Sequence, residues 1–536
     1  VGEVLVRSGL GTVFGVVGSG NFAVTTAMVA AGARFVAARH EGGAATMADA
    51  HARMSGGVTA LSVHQGCGLT NALTGITEAA KSRTPLVVLT AEATSRRSNF
   101  FVDQQALAVA VGAVSLRVEV AEEAAATAAA AVATARDERR VVVLNLPLDV
   151  QQLPAPPGGV VAPPALRGQP AADEVGRLAD ALRRARRPVF VAGRGARGSG
   201  SRAALEELAD RCGALLATSA VAKGLFRGSP WDLDVSGGFA TPVAAELISG
   251  ADLVVGWGCA LNMWTMRHGR LIADDAVVAQ VDLDPEAIGA QREVAFGVVG
   301  DVREVARAVT GAVPGFATGY RTAEVRELVA GRRRWRDEPF DDEGGAGLVD
   351  PRALTIALDD LLPAERVLAV DSGNFMGYPS MFLDVPDEFG FCFTQAFQSV
   401  GLGLATAIGA ALARPDRLPV AALGDGGALM GASELETVVR LGLPMVVVVY
   451  DDAAYGAEVH HFGPAGHPLD VVRFPETDFA AIARGYGFEA VTVRDVPDLQ
   501  PLRQWLAGPR SAPFLVDAKV TRDRPSWWLE EAFRGH

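Results

Sequence analysis

The feature that most constrains this chain is a recurring run of residues that is apolar on both faces of a strand. TPLVVLTAE (84–92) and RRVVVLNLP (139–147) lie in the first third, RPVFVAGRG (187–195), ADLVVGWG (251–258) and AVVAQVDLD (276–284) in the middle. ERVLAVDSG (365–373), LPVAALGDG (418–426) and PMVVVVYDD (444–452) follow in the last third. A strand with one wet face alternates apolar and polar side chains. These runs do not, so both faces are read as covered. The Ala- and Leu-rich stretches between them read as helices that cover those faces and return the chain to a parallel neighbour. The expected fold class is α/β, with three open parallel-sheet domains.

At 536 residues the chain exceeds one ordinary core. Two segments interrupt the pattern. QQLPAPPGGVVAPPALRGQP (151–170) is too rich in Pro and Gly to sustain helix or sheet, and RRRWRDEPFDDEGGAG (332–347) passes from dense charge into glycines. Read as linkers, they divide the chain into domains at 1–150, 170–325 and 348–536.

The net charge of −13 argues against non-specific nucleic-acid binding, which needs a basic face. Cys67, Cys212, Cys259 and Cys392 are scattered without a C-x-x-C pair, which fits free thiols in a reducing compartment. No basic segment leads into a long apolar run, and no uninterrupted apolar stretch is long enough to span a bilayer. The expectation is a cytoplasmic protein with no membrane partner. The chain opens on Val1 rather than Met, and a few native residues are expected before it.

In open α/β sheets ligands gather beyond the carboxyl ends of the strands. In the last domain three such ends carry DSGN (371–374), GDGG (424–427) and DDAAYG (451–456). Asp425 follows VAALG, and Asp452 follows MVVVVY 27 residues later. Gly424, Gly426 and Gly427 read as a turn that lets backbone amides approach phosphate oxygens. An ordinary exposed turn has the same look. Two carboxylates at neighbouring strand ends favour a metal site, because Mg2+ takes oxygen ligands and shares them with a diphosphate.

Segment 424–456 resembles the diphosphate-binding motif of thiamine-diphosphate (ThDP)-dependent enzymes, which runs from Gly-Asp-Gly to a pair of asparagines. The resemblance implies Mg2+ held by Asp425, the Asp452 side chain and the Ala454 carbonyl. It places Asn374, Gly424, Gly426, Gly427, Tyr455 and Gly456 around the diphosphate. The chain departs from the motif in having Asp451-Asp452 where the family has Asn-Asn. A carboxylate still binds Mg2+, but added negative charge beside an anionic diphosphate is expected to weaken loading at low Mg2+.

In the first domain, FVAARHEGGAATMADAHARMSGG (35–57) reads as a strand ending at Arg39-His40, then an Ala-rich helix with Glu41 at the junction. Alone, Glu41 is equally an acid favouring a helix N-terminus. The pattern resembles the aminopyrimidine-binding domain of the same enzymes, whose glutamate hydrogen-bonds the cofactor ring and drives formation of the reactive ylid. A partly buried carboxylate with a raised pKa suits that relay. In QAFQSVGLGLATAIGAAL (395–412) the resemblance puts Val400 at the wedge under the bent cofactor, with the Gln398 carbonyl facing its amino group. VDLDPEAIG (281–289) resembles the central domain of acetolactate-synthase-like members. The resemblance thus covers all three domains and implies sites built by pyrimidine and diphosphate domains of different subunits, hence a homodimer or homotetramer.

The implied activity is decarboxylation of a 2-oxo acid, followed by protonation of the enamine or its attack on a second carbonyl compound. His64, in LSVHQGCGLTNALTG (61–75), and Ser19, in GVVGSGN, fall where benzoylformate-decarboxylase-like members carry active-site residues. A neutral imidazole there can move a proton near pH 7, although a lone His after a strand is as often structural. Glu458 matches a pyruvate-decarboxylase-like glutamate; its alternative is a solvated helix position, as for His460 and His461. Gln104 matches an acetolactate-synthase glutamine at the pocket rim, and His268 is a further candidate. FAD is not expected, because the central segment reads GCALNMW where flavin-binding members have Arg-Phe-Asp-Asp. A non-catalytic partner subunit is the alternative function. A nicotinamide oxidoreductase fits the α/β pattern, but GRGARGSG (193–200) is the nearest approach to its fingerprint and is a poor one.

Overall fold

The computed structural model describes residues 1–154, 161–162, 169–198, 200–313 and 315–533. The expected linker 151–170 therefore lies largely outside the described residues. Within them, three six-stranded sheets follow one another along the chain, and every strand pairing inside them is parallel. The continuous apolar runs are the buried central strands, as both-face burial requires.

The first sheet comprises β1 (Thr12–Gly15), β2 (Arg34–Ala37), β3 (Thr59–Val63), β4 (Leu86–Glu92), β5 (Val114–Arg117) and β6 (Val141–Pro147), in the order β2-β1-β3-β4-β6-β5. The second comprises β7 (Pro188–Ala192), β8 (Leu215–Thr218), β9 (Asp232–Val235), β10 (Leu253–Trp257), β11 (Val277–Asp282) and β12 (Phe296–Val299). Its order, β12-β11-β10-β7-β8-β9, is the doubly wound arrangement of dinucleotide-binding sheets. The third comprises β13 (Arg366–Val370), β14 (Phe391–Phe393), β15 (Leu418–Gly424), β16 (Val446–Asp451), β17 (Glu489–Val493) and β18 (Phe514–Lys519), in the order β14-β13-β15-β16-β18-β17.

The first and third sheets thus share one topology. In each, strand order reverses beside the first strand, at β1/β3 and at β13/β15. Crevices at such reversals are where open α/β sheets hold ligands.

These two domains pack on each other through helices α1 (Glu41–Ser55) and α2 (Gly403–Ala413), and their apolar side chains form one continuous core. Contact is close enough to require glycine: a Cβ at Gly409 would lie 2.2 Å from the Met47 carbonyl oxygen. The charged segment 332–347 is anchored at its start. The helix Ala323–Arg332 rests on the central sheet through buried Val329, and Trp335 donates its indole N–H to the Phe239 carbonyl at 2.6 Å. No described helix is long and apolar enough to cross a membrane. The four cysteines are free, three of them buried.

Candidate active site

The first cluster forms at the β1/β3 reversal. The loop after β1 is held by buried Asn21, which accepts from the Gly18 N–H at 2.8 Å and donates to the Ser62 hydroxyl at 3.0 Å. Two glycines let that loop lie flat on the end of β3. A Cβ at Gly18 would stand 2.3 Å from the His64 ring, and one at Gly20 would stand 1.8 Å from the Gln65 side-chain oxygen. Ser19, between them, is exposed and its Oγ reaches His64 Nε2 at 3.4 Å, while His64 Nδ1 lies 3.0 Å from the Gln65 carbonyl. If that carbonyl accepts from Nδ1–H, Nε2 is the free acceptor facing Ser19. Phe100 packs edge-on against the imidazole.

Glu41 belongs to the same cluster. β2 ends at Ala37, two residues before the expected Arg39, because His40 is already the N-cap of α1 and its Nδ1 accepts from the Gly42 N–H at 3.0 Å. Glu41 is half-buried in the first turn, and its Oε2 accepts from Asn71 at 3.1 Å. A Cβ at Gly68 would lie 3.0 Å from His64 Cβ and 3.6 Å from Glu41 Oε1, so Glu41 and His64 flank one bare backbone position.

Gln104 is a correction. Expected at a pocket rim, it is instead buried with its amide fully used: it donates to the Ala91 carbonyl and Asn145 and accepts from Gly66 N–H at 2.9 Å. It ties down the loop after His64 rather than facing a ligand.

The second cluster forms at the β13/β15 reversal and the end of β16. The expected glycine turn at 424–427 is absent: β15 runs through Gly424 and a helix begins at Asp425. The N–H groups of Gly426 and Gly427 therefore sit in a first helical turn, where they have no intrahelical acceptor. Asp425 and Asp452 stand at the ends of neighbouring strands, close enough for the charge of Asp425 to act on Asp452, and the Ala454 N–H donates to Asp452 at 3.2 Å. Burial first, then the charge of Asp451, pushes Asp425 up to about 7. Burial first, then the charge of Asp425, pushes Asp452 up to about 8. Two carboxyls that resist ionising together are what a divalent cation would neutralise. Both hold protons longer than in the unfolded chain. Without metal, their contribution to stability is therefore full below the ordinary carboxylate range and is lost as pH rises through about 7 to 8.

The surroundings suit a phosphate and a metal. A Cβ at Gly456 would lie 2.2 Å from Asp452 Oδ2 and 3.2 Å from Asn374 Cβ, so only glycine leaves room there. Tyr455 covers Gly426, whose Cβ would be 2.9 Å from its ring. Asn374 is buried and holds the C-terminal tail, its side-chain oxygen accepting from the Ser526 N–H at 3.0 Å. Glu458 is exposed on the short helix Gly456–Phe462, with His460 and His461 on the same helix. His268 sits in the central domain beside Trp264, in neither cluster.

Between the clusters runs the segment 393–401. Gln398 has φ +59°, a left-handed conformation costly for a non-glycine residue, and Val400 is exposed. The strain is held by acids that sequence reasoning missed. Glu78 accepts from the Ala396 and Phe397 N–H groups at 3.0 and 2.6 Å, and buried Asp371 accepts from Gly401 N–H at 3.0 Å. Glu434 likewise accepts from the N–H groups of Arg39 and His40 at 3.0 and 3.1 Å, clamping the junction that carries Glu41. Among the described residues no hydrogen bond or ion pair joins the Glu41–His64 cluster to Asp425 and Asp452.

Comparison with known proteins finds three family domains in succession along the chain. Residues 1–112 match the thiamine pyrophosphate enzyme N-terminal TPP binding domain, residues 175–309 the central domain, and residues 371–518 the C-terminal TPP binding domain. A probable 2-ketoarginine decarboxylase of Pseudomonas aeruginosa is 31% identical, covering 93% of this chain and 90% of that protein. A sulfoacetaldehyde acetyltransferase of Castellaniella defragrans is 27% identical over 93% of this chain and 88% of its own length. An acetolactate synthase large subunit of Parasynechococcus marenigrum is 26% identical over 97% and 86%. The fold matches that of a thiamine diphosphate-dependent 4-hydroxybenzoylformate decarboxylase of Rhodococcus jostii, with a TM-score of 0.81, 22% identity and coverage of 97% and 98%.

Proposed function

Since the chain belongs to the thiamine pyrophosphate enzyme family, we propose that it is a ThDP- and Mg2+-dependent enzyme that decarboxylates a 2-oxo acid. When bound, ThDP supplies a nucleophilic carbon and an electron sink, so that carbon dioxide leaves and the remaining acyl unit is protonated or joined to a second carbonyl compound. Asp425, Asp452 and the Ala454 carbonyl hold Mg2+, and the backbone about Gly426, Gly427 and Gly456 receives the diphosphate. Glu41 holds and moves a proton at the aminopyrimidine. Gln398 and Val400 shape the bend between the two rings.

The observation that carries the choice of reaction is the Ser19–His64 pair flanking the same bare backbone as Glu41. His64 Nε2, an acceptor in the tautomer with Nδ1–H, can take up a proton from solvent and then deliver it to the carbon that carbon dioxide leaves. Glu458 is a second proton donor at the far side. The names of the acetyltransferase and synthase relatives favour a second reading, in which a carbonyl acceptor captures the acyl unit. In both readings the site is completed by a second copy of the chain. Phe22, Phe100, Val400, Leu429, Met430 and Tyr455, around the two clusters, are exposed apolar surface of the kind a subunit interface covers. The expected setting is the cytoplasm.

The test is product analysis with ThDP, Mg2+ and a panel of 2-oxo acids, with and without aldehyde acceptors. Aldehyde as the product, with His64→Ala retaining ThDP binding but releasing it far more slowly, supports the protonation reading. Acetolactate or another ligated product supports the second. ThDP binding without carbon dioxide from any acid contradicts both.

A further inference from the structure

The pair Asp451-Asp452 places two carboxylates at the end of β16, yet they face different surroundings. Asp452 turns toward Asp425. Asp451 turns into the sheet, 2% exposed, and meets Lys519 of the neighbouring β18, with Nζ–Oδ2 at 2.6 Å. The two residues are register partners across the parallel strands. Lys519 is 3% exposed; it donates to Asp451 and to the Thr477 carbonyl at 2.5 Å, and its ammonium also lies 2.9 Å from Asp517 Oδ1 as an ion pair. The second oxygen of Asp451 accepts from Ala453 N–H at 2.9 Å, and Ala453 has φ +53°. That left-handed residue turns the chain between Asp452 and Ala454, and an alanine adopts it only under external constraint.

We infer that Lys519 is a positioning residue for the Mg2+–diphosphate site. It pairs with Asp451, holding that carboxylate into the sheet, and, through the Asp451–Ala453 bond, sets the turn that presents Asp452 and the Ala454 carbonyl. The extra carboxylate is thereby kept from opposing the diphosphate. The inference rests on the proposed function, since it concerns the same metal site.

It is tested by titrating ThDP with Mg2+, and Mn2+ alone followed by its electron paramagnetic resonance signal, into the parent, K519M, D451N and D451N/K519M proteins. K519M leaves two buried carboxylates, Asp451 and Asp517, without their cation, so its ThDP binding is expected to weaken roughly 30-fold or more. Asn at 451 can still accept from Ala453 N–H, so D451N/K519M is expected to regain binding to within about tenfold of the parent. Loss of Asp517's partner is common to both Lys519 variants, so the difference between them reports Asp451 alone. If K519M does not fold while the double variant folds and binds, the result has the same meaning. The inference is overturned if K519M binds as the parent does, or if adding D451N restores neither folding nor binding. A parent that binds neither ThDP nor Mn2+ contradicts the proposed function itself.

Discussion

Glu41→Gln is expected to lower turnover by about 10²–10⁴-fold while leaving ThDP affinity within about tenfold of the parent, the range general acid–base groups contribute. The local structure is insensitive to the change. The N-cap of α1 is His40, the strand–helix junction is clamped by Glu434, and glutamine presents an oxygen where Glu41 accepts from Asn71. What glutamine cannot do is take up and release a proton. The readouts are steady-state turnover and the rate at which the C2 hydrogen of bound ThDP exchanges with solvent, followed by NMR. Both should fall together. Full turnover in a protein that binds ThDP normally would remove Glu41 from the chemistry.

Arg53→Met is expected to destabilise the chain by about 3–5 kcal/mol, the usual cost of removing one partner from a buried ion pair. Arg53 lies one turn after Asp49 on α1 and binds it through two N–H groups at 2.8 and 2.6 Å. It also donates to Glu78 at 2.8 Å, to the Ser82 hydroxyl at 2.6 Å and to the Phe393 carbonyl at 2.7 Å. Both carboxylates are fully buried, so methionine leaves two uncompensated charges in the interface between the first and third domains. Glu78 is the residue that holds the 396–397 backbone ahead of Gln398. Denaturant melts should therefore show a lower midpoint, and the variant should also bind ThDP more weakly than its folded fraction explains. An unchanged midpoint would mean that the network is already open to water.

The parallel sheets were legible in the sequence wherever burial left no alternative to apolar residues. VVVV in β16 and VVVLNL in β6 admit few other readings, whereas β2 (RFVA) was legible but not its end, and β14 (FCF) carries too few residues to signal itself. Asp425 and Asp452 stood out as a pair at neighbouring strand ends beside glycine, and Glu41, which a helix N-terminus alone would explain, stood out through the pattern around it. Ser19 was singled out in GVVGSGN, but not Gly18 and Gly20 as the reason it reaches His64. Glu78, Glu434 and Lys519 gave no local signal, and Asp371 stood out only as part of the strand-end DSGN, not as a backbone acceptor. Glu78 and Glu434 hold backbone 318 and 395 residues away in another domain, and Asp371 and Lys519 hold partners 30 and 68 residues away in their own, so their roles exist only once the chain has packed. Gln104 was misread for the same reason: a polar side chain at a helix start looks the same whether it faces a ligand or a buried loop.

The most direct test of the account is calorimetric titration of the chain with ThDP, with and without Mg2+, near pH 8 and near pH 6. The predicted result is binding that requires Mg2+ and weakens toward pH 6, where protons compete with the metal for Asp425, raised to about 7, and Asp452, raised to about 8. No binding, or binding indifferent to Mg2+ near pH 8, would contradict the assignment of these carboxylates and the ThDP-dependent chemistry built on them.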